Sequence, residues 1–227
     1  MKIIKLFPEN SSEVIAEIAS ALRKGKVIVI PSDTVYGLAA DAGNTEAVRR
    51  IFEIKKRLDK KILPLFISSL EMAERIWPIK DEKVKKILEK LWPGKLTAVL
   101  KSRHDPALRF PNNKFVSDLI DAFGGPIAET SANISGASPH TNIAEVLQEF
   151  EANDLRPDLV VDAGDLPESL PSTVVDFTQT PPKILREGAV SREELNKVFG
   201  CGIKNAYARQ RNRKINPRRN RTAEAGN

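Results

Sequence analysis

The run from Glu129 to Gly136 (Glu-Thr-Ser-Ala-Asn-Ile-Ser-Gly) constrains this chain more than any other stretch. Short hydroxyl and amide side chains follow an apolar approach, Pro126-Ile127-Ala128, and end at a turn-forming glycine. The interior of a strand has little use for Thr-Ser-x-Asn, because each such group needs a hydrogen-bond partner once buried. At a strand's end the same groups can be aimed at a ligand. A second segment has the same design: the apolar run Val27-Ile28-Val29-Ile30 breaks at Pro31 into Pro-Ser-Asp-Thr-Val-Tyr-Gly-Leu, residues 31–38. Lys55 and Arg57 lie between the two segments. Strand-end hydroxyls, an amide and two cations suit a substrate that carries phosphates.

Around these segments, strand and helix signals alternate. Residues 13–23 place Val14, Ile15, Ile18 and Leu22 on one face, after Ser11-Ser12 and before Gly25. Residues 27–30 are apolar throughout and read as a buried strand. Asn44-Thr45 caps a helix that turns Val48, Ile51 and Phe52 inward. Further helices are predicted over 69–76, 82–91 (stopped by Trp92-Pro93-Gly94), 114–123, 143–151 behind Asn142, and 191–199. Strands are predicted over 63–67, 96–100, 126–130, 159–162, 173–177 and 183–185. Some are joined too closely for helical crossovers. The expected architecture is therefore one α/β domain over 1–200, with a twisted mixed parallel and antiparallel sheet flanked by helices.

Charge separates this body from residues 201–227. Of 36 Lys and Arg, eight fall in that last segment, beside one of the 30 acidic residues. The body is nearly neutral, and the end of the chain is basic and poor in apolar residues. It reads as a disordered tail suited to RNA phosphates or, equally, as a solvated extension. No apolar run approaches the roughly 18 residues of a membrane span, and the N-terminus lacks a signal-peptide core. The single Cys201 forbids an intrachain disulfide. These features suit a cytoplasmic protein. His104 and His140 stand apart near prolines and read as surface loop residues.

Several chemistries are excluded. There is no Gly-x-x-x-x-Gly-Lys-Ser/Thr, no Gly-x-Gly-x-x-Gly after a strand, and no zinc or EF-hand spacing. Ser131 lacks a nucleophile-elbow context and a histidine partner. What the chain offers is cations and hydrogen-bond donors. Such a site accelerates phosphoryl or nucleotidyl transfer by positioning and charge stabilisation.

Seven short strings carry a resemblance. They are residues 31–38; Lys55-Lys-Arg57; Leu91-Trp-Pro-Gly94 with Leu96-Thr97; Arg109-Phe-Pro111; Thr130-Ser-Ala-Asn-Ile-Ser-Gly136; Pro171-Ser-Thr-Val-Val-Asp176; and Arg186-Glu-Gly188. In order and spacing, from about residue 12 to 192, they resemble the YrdC-type family of threonylcarbamoyl-AMP synthases, its short TsaC-like form in particular. The resemblance implies a basic concave cavity on a twisted α/β sheet. It also implies that L-threonine, bicarbonate and ATP are joined into threonylcarbamoyl-AMP with release of pyrophosphate, for the threonylcarbamoyladenosine modification of tRNA. Magnesium would bridge the nucleotide phosphates, and a partner transferase would move the product group to tRNA. By the same resemblance, Lys55, Arg57, Asn133 and Arg186 hold ATP, with Lys61 and Thr141 also on the nucleotide side. Thr34, Ser131, Ser172 and Arg109 hold threonine. Lys55, Arg57, Ser131 and Asn133 form the catalytic set, and no protein metal ligand is implied. Tyr36 and Trp92 read as packing residues, and Asp33 either orients backbone or meets a metal. Ser32, Leu58, Ile62 and Lys95 depart from the family pattern. The last three replace prolines, and two of them loosen the loop that carries Arg57 and Lys61. A non-catalytic RNA-binding protein on the same fold is the alternative.

Overall fold

The computed structural model describes residues 1–57, 63–102 and 104–200, and the backbone of Lys204–Asn205. Eleven strands form one mixed sheet: β1 (Lys2–Lys5), β2 (Ile28–Ile30), β3 (Gly37–Asp41), β4 (Leu65–Phe66), β5 (Leu96–Val99), β6 (Ala107–Arg109), β7 (Ile127–Ser131), β8 (Leu159–Asp162), β9 (Thr173–Asp176), β10 (Lys183–Arg186) and β11 (Lys204–Asn205). Their order across the sheet is β1-β8-β2-β3-β7-β4-β6-β5-β9-β10-β11. Parallel pairs (β1 with β8, β2 with β8, β4 with β6, β5 with β9, β10 with β11) stand beside antiparallel ones such as β2 with β3 and β3 with β7, so the sheet is mixed, as expected.

Alternation along each strand builds two cores. Ile28 and Ile30 face one side of β2, while Val27 and Val29 face the other. The first side is covered by α1 (Ser11–Arg23), α3 (Leu70–Ile76), α4 (Glu82–Leu91), α5 (Lys114–Phe123) and α7 (Arg192–Phe199), through residues such as Ile18, Met72, Leu88, Leu119 and Leu195. The second side is covered by α2 (Thr45–Ile54) and α6 (Ile143–Glu151), through Ile51, Ile54, Val146 and Phe150. On α2, Ile51 faces inward as predicted. Val48 and Phe52 are only partly buried, and Ala47 and Ile54 take the deep positions.

Helix starts follow their capping residues. Asn44, Asn113 and Asn142 accept from the amides of Ala47, Val116 and Glu145, and Ser191 with Glu194 forms a capping box. Three strands in the body carry no clear sequence signal. β3 is Gly-Leu-Ala-Ala-Asp, poor in β-formers. β1 has lysine at both ends, on the sheet's edge. β6 is three residues long. Each is set by its neighbours in the sheet rather than by its own pattern. The basic segment expected from 201 lies outside the described residues, apart from the backbone of β11, which pairs with Lys183–Ile184.

Candidate active site

Strand ends bring the motifs together. Ile30 ends β2, the chain turns through Pro31–Tyr36, and it returns as β3, antiparallel to β2. Next to β3 runs β7, with Gly37 opposite Ser131. Both polar motifs thus leave the sheet at one place. The turn between β2 and β3 is tied internally: Ser32 Oγ donates to the Val35 carbonyl at 2.7 Å and accepts from the Thr34 amide at 3.1 Å.

Arg109, at the end of β6, enters this turn from the side. Its Nη2 donates to Asp33 Oδ1 at 2.6 Å, its Nη1 to Thr34 Oγ1 at 3.1 Å, and its Nε reaches the Gly94 carbonyl at 3.4 Å. Both side chains of the Arg109–Asp33 pair are buried, at 4% and 7% exposure. The second oxygen of Asp33 accepts from the Asn112 amide. Asp33 therefore orients Arg109 and backbone, which is one of its two expected roles.

At the far wall, Ser172 precedes β9. Its hydroxyl lies 2.8 Å from Thr97 Oγ1. Arg186, at the end of β10, grips the Ser172 carbonyl through Nε (3.1 Å) and Nη2 (2.7 Å) and reaches the Ser172 hydroxyl at 3.2 Å. Gly188 makes this contact possible, because a Cβ there would strike the backbone of Pro171 and Ser172.

Lys55 and Arg57 diverge at the end of α2. Lys56 takes a left-handed conformation (φ 50°) and turns its neighbours apart. Lys55 points inward and is almost fully buried. Its Nζ donates to the Ser131 carbonyl at 2.5 Å, the Asn133 carbonyl at 2.7 Å and Asn133 Oδ1 at 3.2 Å. Asn133 in turn donates to the carbonyls of Ile134 and Ala137. Burial pulls the Lys55 ammonium down to about 8. Arg57 remains half-buried over the Phe52 ring.

One cleft of about 520 Å³ results, lined by Thr34, Arg57, Arg109, Ser131, Ser172 and Arg186 among others. Six of the expected site residues therefore meet in it. Lys55 and Asn133 lie behind its wall and hold the turn that presents Ser131. Thr141 borders a separate depression with Pro139, Glu168 and Ser169. Lys61, Leu58 and Ile62 lie outside the described residues. Tyr36 and Trp92 are buried packing residues with satisfied polar ends: Tyr36 Oη donates to the Gly164 carbonyl and Trp92 Nε1 to the Leu96 carbonyl. His140 lies in a loop, as its flanking proline suggested, but it is not freely exposed. Its ring sits between Glu145 and Glu149, largely covered, and Glu149 also accepts from the Ile134 amide.

Glu129 was missed as a site residue. It lines the cleft from β7 and is only 6% exposed. The available signal was alternation: Ile127 faces the core, so Glu129 two residues on must point to the same face. Burial pushes its carboxyl up to about 7, with Arg109, Lys55 and Arg186 opposing the shift and Asp33 adding to it. The pKa is higher folded than unfolded, so the native state binds the extra proton between about 4.5 and 7. Stability present at low pH is lost as pH rises through that window. Glu129→Gln is therefore expected to be more stable than the parent at pH 8, by on the order of 3 kcal/mol. At pH 4 the two should nearly coincide. Urea titrations at both pH values check this.

Comparison with known proteins fits this geometry. The family model Sua5_yciO_yrdC, described as "Telomere recombination", matches residues 20–188. The threonylcarbamoyl-AMP synthase of Pyrococcus abyssi is 36% identical over 193 residues, covering 80% of this chain and 56% of that protein. The Bacillus subtilis threonylcarbamoyl-AMP synthase is 32% identical, covering 82% and 56%. This chain thus spans just over half the length of these two relatives. The structure of P. abyssi Sua5 complexed with L-threonine superposes with a TM-score of 0.79 at 33% identity, covering 91% of this chain and 62% of that one. Escherichia coli YciO superposes with a TM-score of 0.74 at 25% identity, covering 87% and 98%. In sequence and in fold, the chain belongs to the Sua5/YciO/YrdC family.

Proposed function

We propose that the chain is an L-threonylcarbamoyladenylate synthase, with residues 1–200 as its catalytic unit. The observation that carries this reading is the convergence of Thr34, Arg57, Arg109, Ser131, Ser172 and Arg186, from six separate segments, on one cleft. The threonine complex of P. abyssi Sua5 supports it.

The reaction joins two anions. Threonine's amine and bicarbonate give a carbamate, whose oxygen must attack the α-phosphorus of ATP in line as pyrophosphate leaves. Cations are needed to offset the repulsion. Arg57 and Arg186 take the phosphates, since a guanidinium binds phosphate oxygens bidentately. Magnesium carried in on the nucleotide phosphates would supply further charge neutralisation there, beside Arg57 and Arg186. Arg109 has three of its five N–H donors engaged, leaving two for the threonine carboxylate. Thr34 and Ser172 then meet the amino-acid hydroxyl and carboxylate, and Ser131 faces the reacting centre. Lys55 and Asn133 contribute by fixing the Ser131 turn. Partial burial of the site guards the carbamate and the mixed anhydride against water.

The product is an activated acyl group, so a partner transferase moves it to tRNA, in the cytoplasm where ATP and tRNA are found. The basic segment 201–227 is proposed to touch RNA phosphates. Among the described residues, no helix is long and apolar enough to cross a membrane.

The test is a mass-spectrometric assay with ATP, magnesium, bicarbonate and L-threonine. A threonylcarbamoyl-AMP peak that requires all of them is expected. It should fall at least about tenfold in Arg57→Ala, a loss of ~1.4 kcal/mol of transition-state stabilisation. Absence of product from a folded protein that still binds tRNA at low salt would favour the RNA-binding alternative.

A further inference from the structure

Glu129 is a buried acid to which the scheme above gives no task. Burying a carboxylate is costly unless something compensates, and the fold makes specific room for this one. Gly37 lies beside it on β3, on the same face of the sheet. A Cβ on Gly37 would collide with Glu129 Oε1 and stand 3.0 Å from its Cδ and Cγ. The groups that act on Glu129 electrostatically are Arg109, Lys55 and Arg186, with Asp33 opposed. Each of these cations also has other partners, Arg186 on Ser172 among them. Arg109 is paired with Asp33, and Lys55 directs its three N–H donors at Ser131 and Asn133.

The substrates of the proposed reaction supply a reason, and the inference rests on that reading. ATP and bicarbonate are anions. The one cationic group among the three substrates is the ammonium of threonine, and it cannot attack carbon until it loses a proton. Among the described residues lining the cleft, two carry carboxylates: Asp105 and Glu129. Asp105 belongs to a surface loop, where its Oδ1 caps the Ser102 amide at 3.0 Å. Glu129 lies inside, buried two residues before Ser131 and acted on by the Arg109 charge.

We infer that Glu129 receives the ammonium of the amino-acid substrate and takes its proton, as the general base of carbamate formation. The ammonium passes one proton to a Glu129 oxygen, leaving a neutral amine and a carboxylic acid. The amine lone pair forms the N–C bond to bicarbonate. The C–OH bond breaks, and the hydroxyl leaves with a second nitrogen proton as water. The carbamate anion remains for attack on the α-phosphorus, and Glu129 returns its proton to solvent when product leaves. A base for this step works best with a pKa near the operating pH, and burial holds the Glu129 carboxyl at about 7.

The experiment compares the parent with Glu129→Gln and Glu129→Asp. Calorimetry measures binding of L-threonine and of 3-hydroxybutanoate, which is threonine without its ammonium. The parent should prefer threonine at least about tenfold, a difference of ~1.4 kcal/mol. Glu129→Gln should lose that preference, while its unfolding midpoint does not fall. In the synthase assay, Glu129→Gln should raise KM for threonine and lower kcat about tenfold each, with KM for ATP within about twofold. It should also lose the acid limb of the rate profile, which Glu129→Asp retains. Equal binding of the two ligands by the parent, or an unchanged preference and pH profile in Glu129→Gln, would overturn the inference. Absence of product from the parent would sink the synthase reading alone, since the ligand preference still decides the role of Glu129.

Discussion

Arg109→Ala is expected to lower stability by about 3–5 kcal/mol and to abolish threonine binding. The stability loss follows from what remains behind. Asp33 is buried beside Arg109, and removing one partner of a buried pair strands the other charge in a medium that solvates it poorly. In a protein of this size the loss corresponds to a melting shift of roughly 10 °C. Arg109→Lys should rescue little, because one ammonium cannot meet Asp33, Thr34 and Gly94 in the geometry of a guanidinium. Adding Asp33→Asn to Arg109→Ala should recover much of the stability and none of the threonine affinity. That split separates the structural role of the pair from the binding role of the arginine. Thermal denaturation and threonine calorimetry on the single and double variants read both. A single variant as stable as the parent would refute the buried-pair account.

Lys55→Met should have the next largest effect. Methionine keeps most of the volume and removes three donors, leaving the Asn133 carbonyl and Oδ1 without their donor, while the Ser131 carbonyl keeps only the Asn133 amide. Each such loss costs about 1–3 kcal/mol, so a fall of about 2–5 kcal/mol is expected. Amides of Ser131 to Ala137 should exchange faster with solvent deuterium, since Lys55 ties that turn to α2. Synthase activity should fall through kcat, because Ser131 is no longer fixed. If instead stability and exchange are unchanged while KM for ATP rises, Lys55 meets phosphate directly and the turn stands without it.

The sequence was most readable where chemistry and periodicity agree. The polar break after Ile30 announced a strand end, and β2 ends there; the polar run after Ala128 is still strand as far as Ser131, and β7 ends beside the start of β3. Capping residues announced two helix starts, at Asn44 and Asn142, whereas α1 already includes Ser11 and Ser12 and starts behind Asn10. Legibility failed where structure depends on the neighbour. β3 is a strand because β2 and β7 flank it, although Ala39 and Ala40 would suit a helix equally. Lys55 and Arg57 look alike in sequence, and only the left-handed Lys56 between them sends one inward and leaves the other at the cleft. Glu129 opened the most informative stretch of the chain, yet no spacing rule says that a glutamate on a strand has found a glycine to lie across.

The arrangement of the cleft has a consequence for biosynthesis. Its lining is drawn from residues 34 to 186, and the strands that hold it are paired out of sequence order: β2 waits for β8, and β5 waits for β9. A nascent chain emerging from the ribosome therefore exposes the open edges of β2 and β5 until β8 and β9 have been made. Such late, long-range pairing slows folding and leaves strand edges available for aggregation. Substrate cannot select an early intermediate, since the wall formed by Ser172 and Arg186 arrives last. Ligand present during translation should thus raise the yield of native protein by trapping the finished chain, not by hastening its assembly.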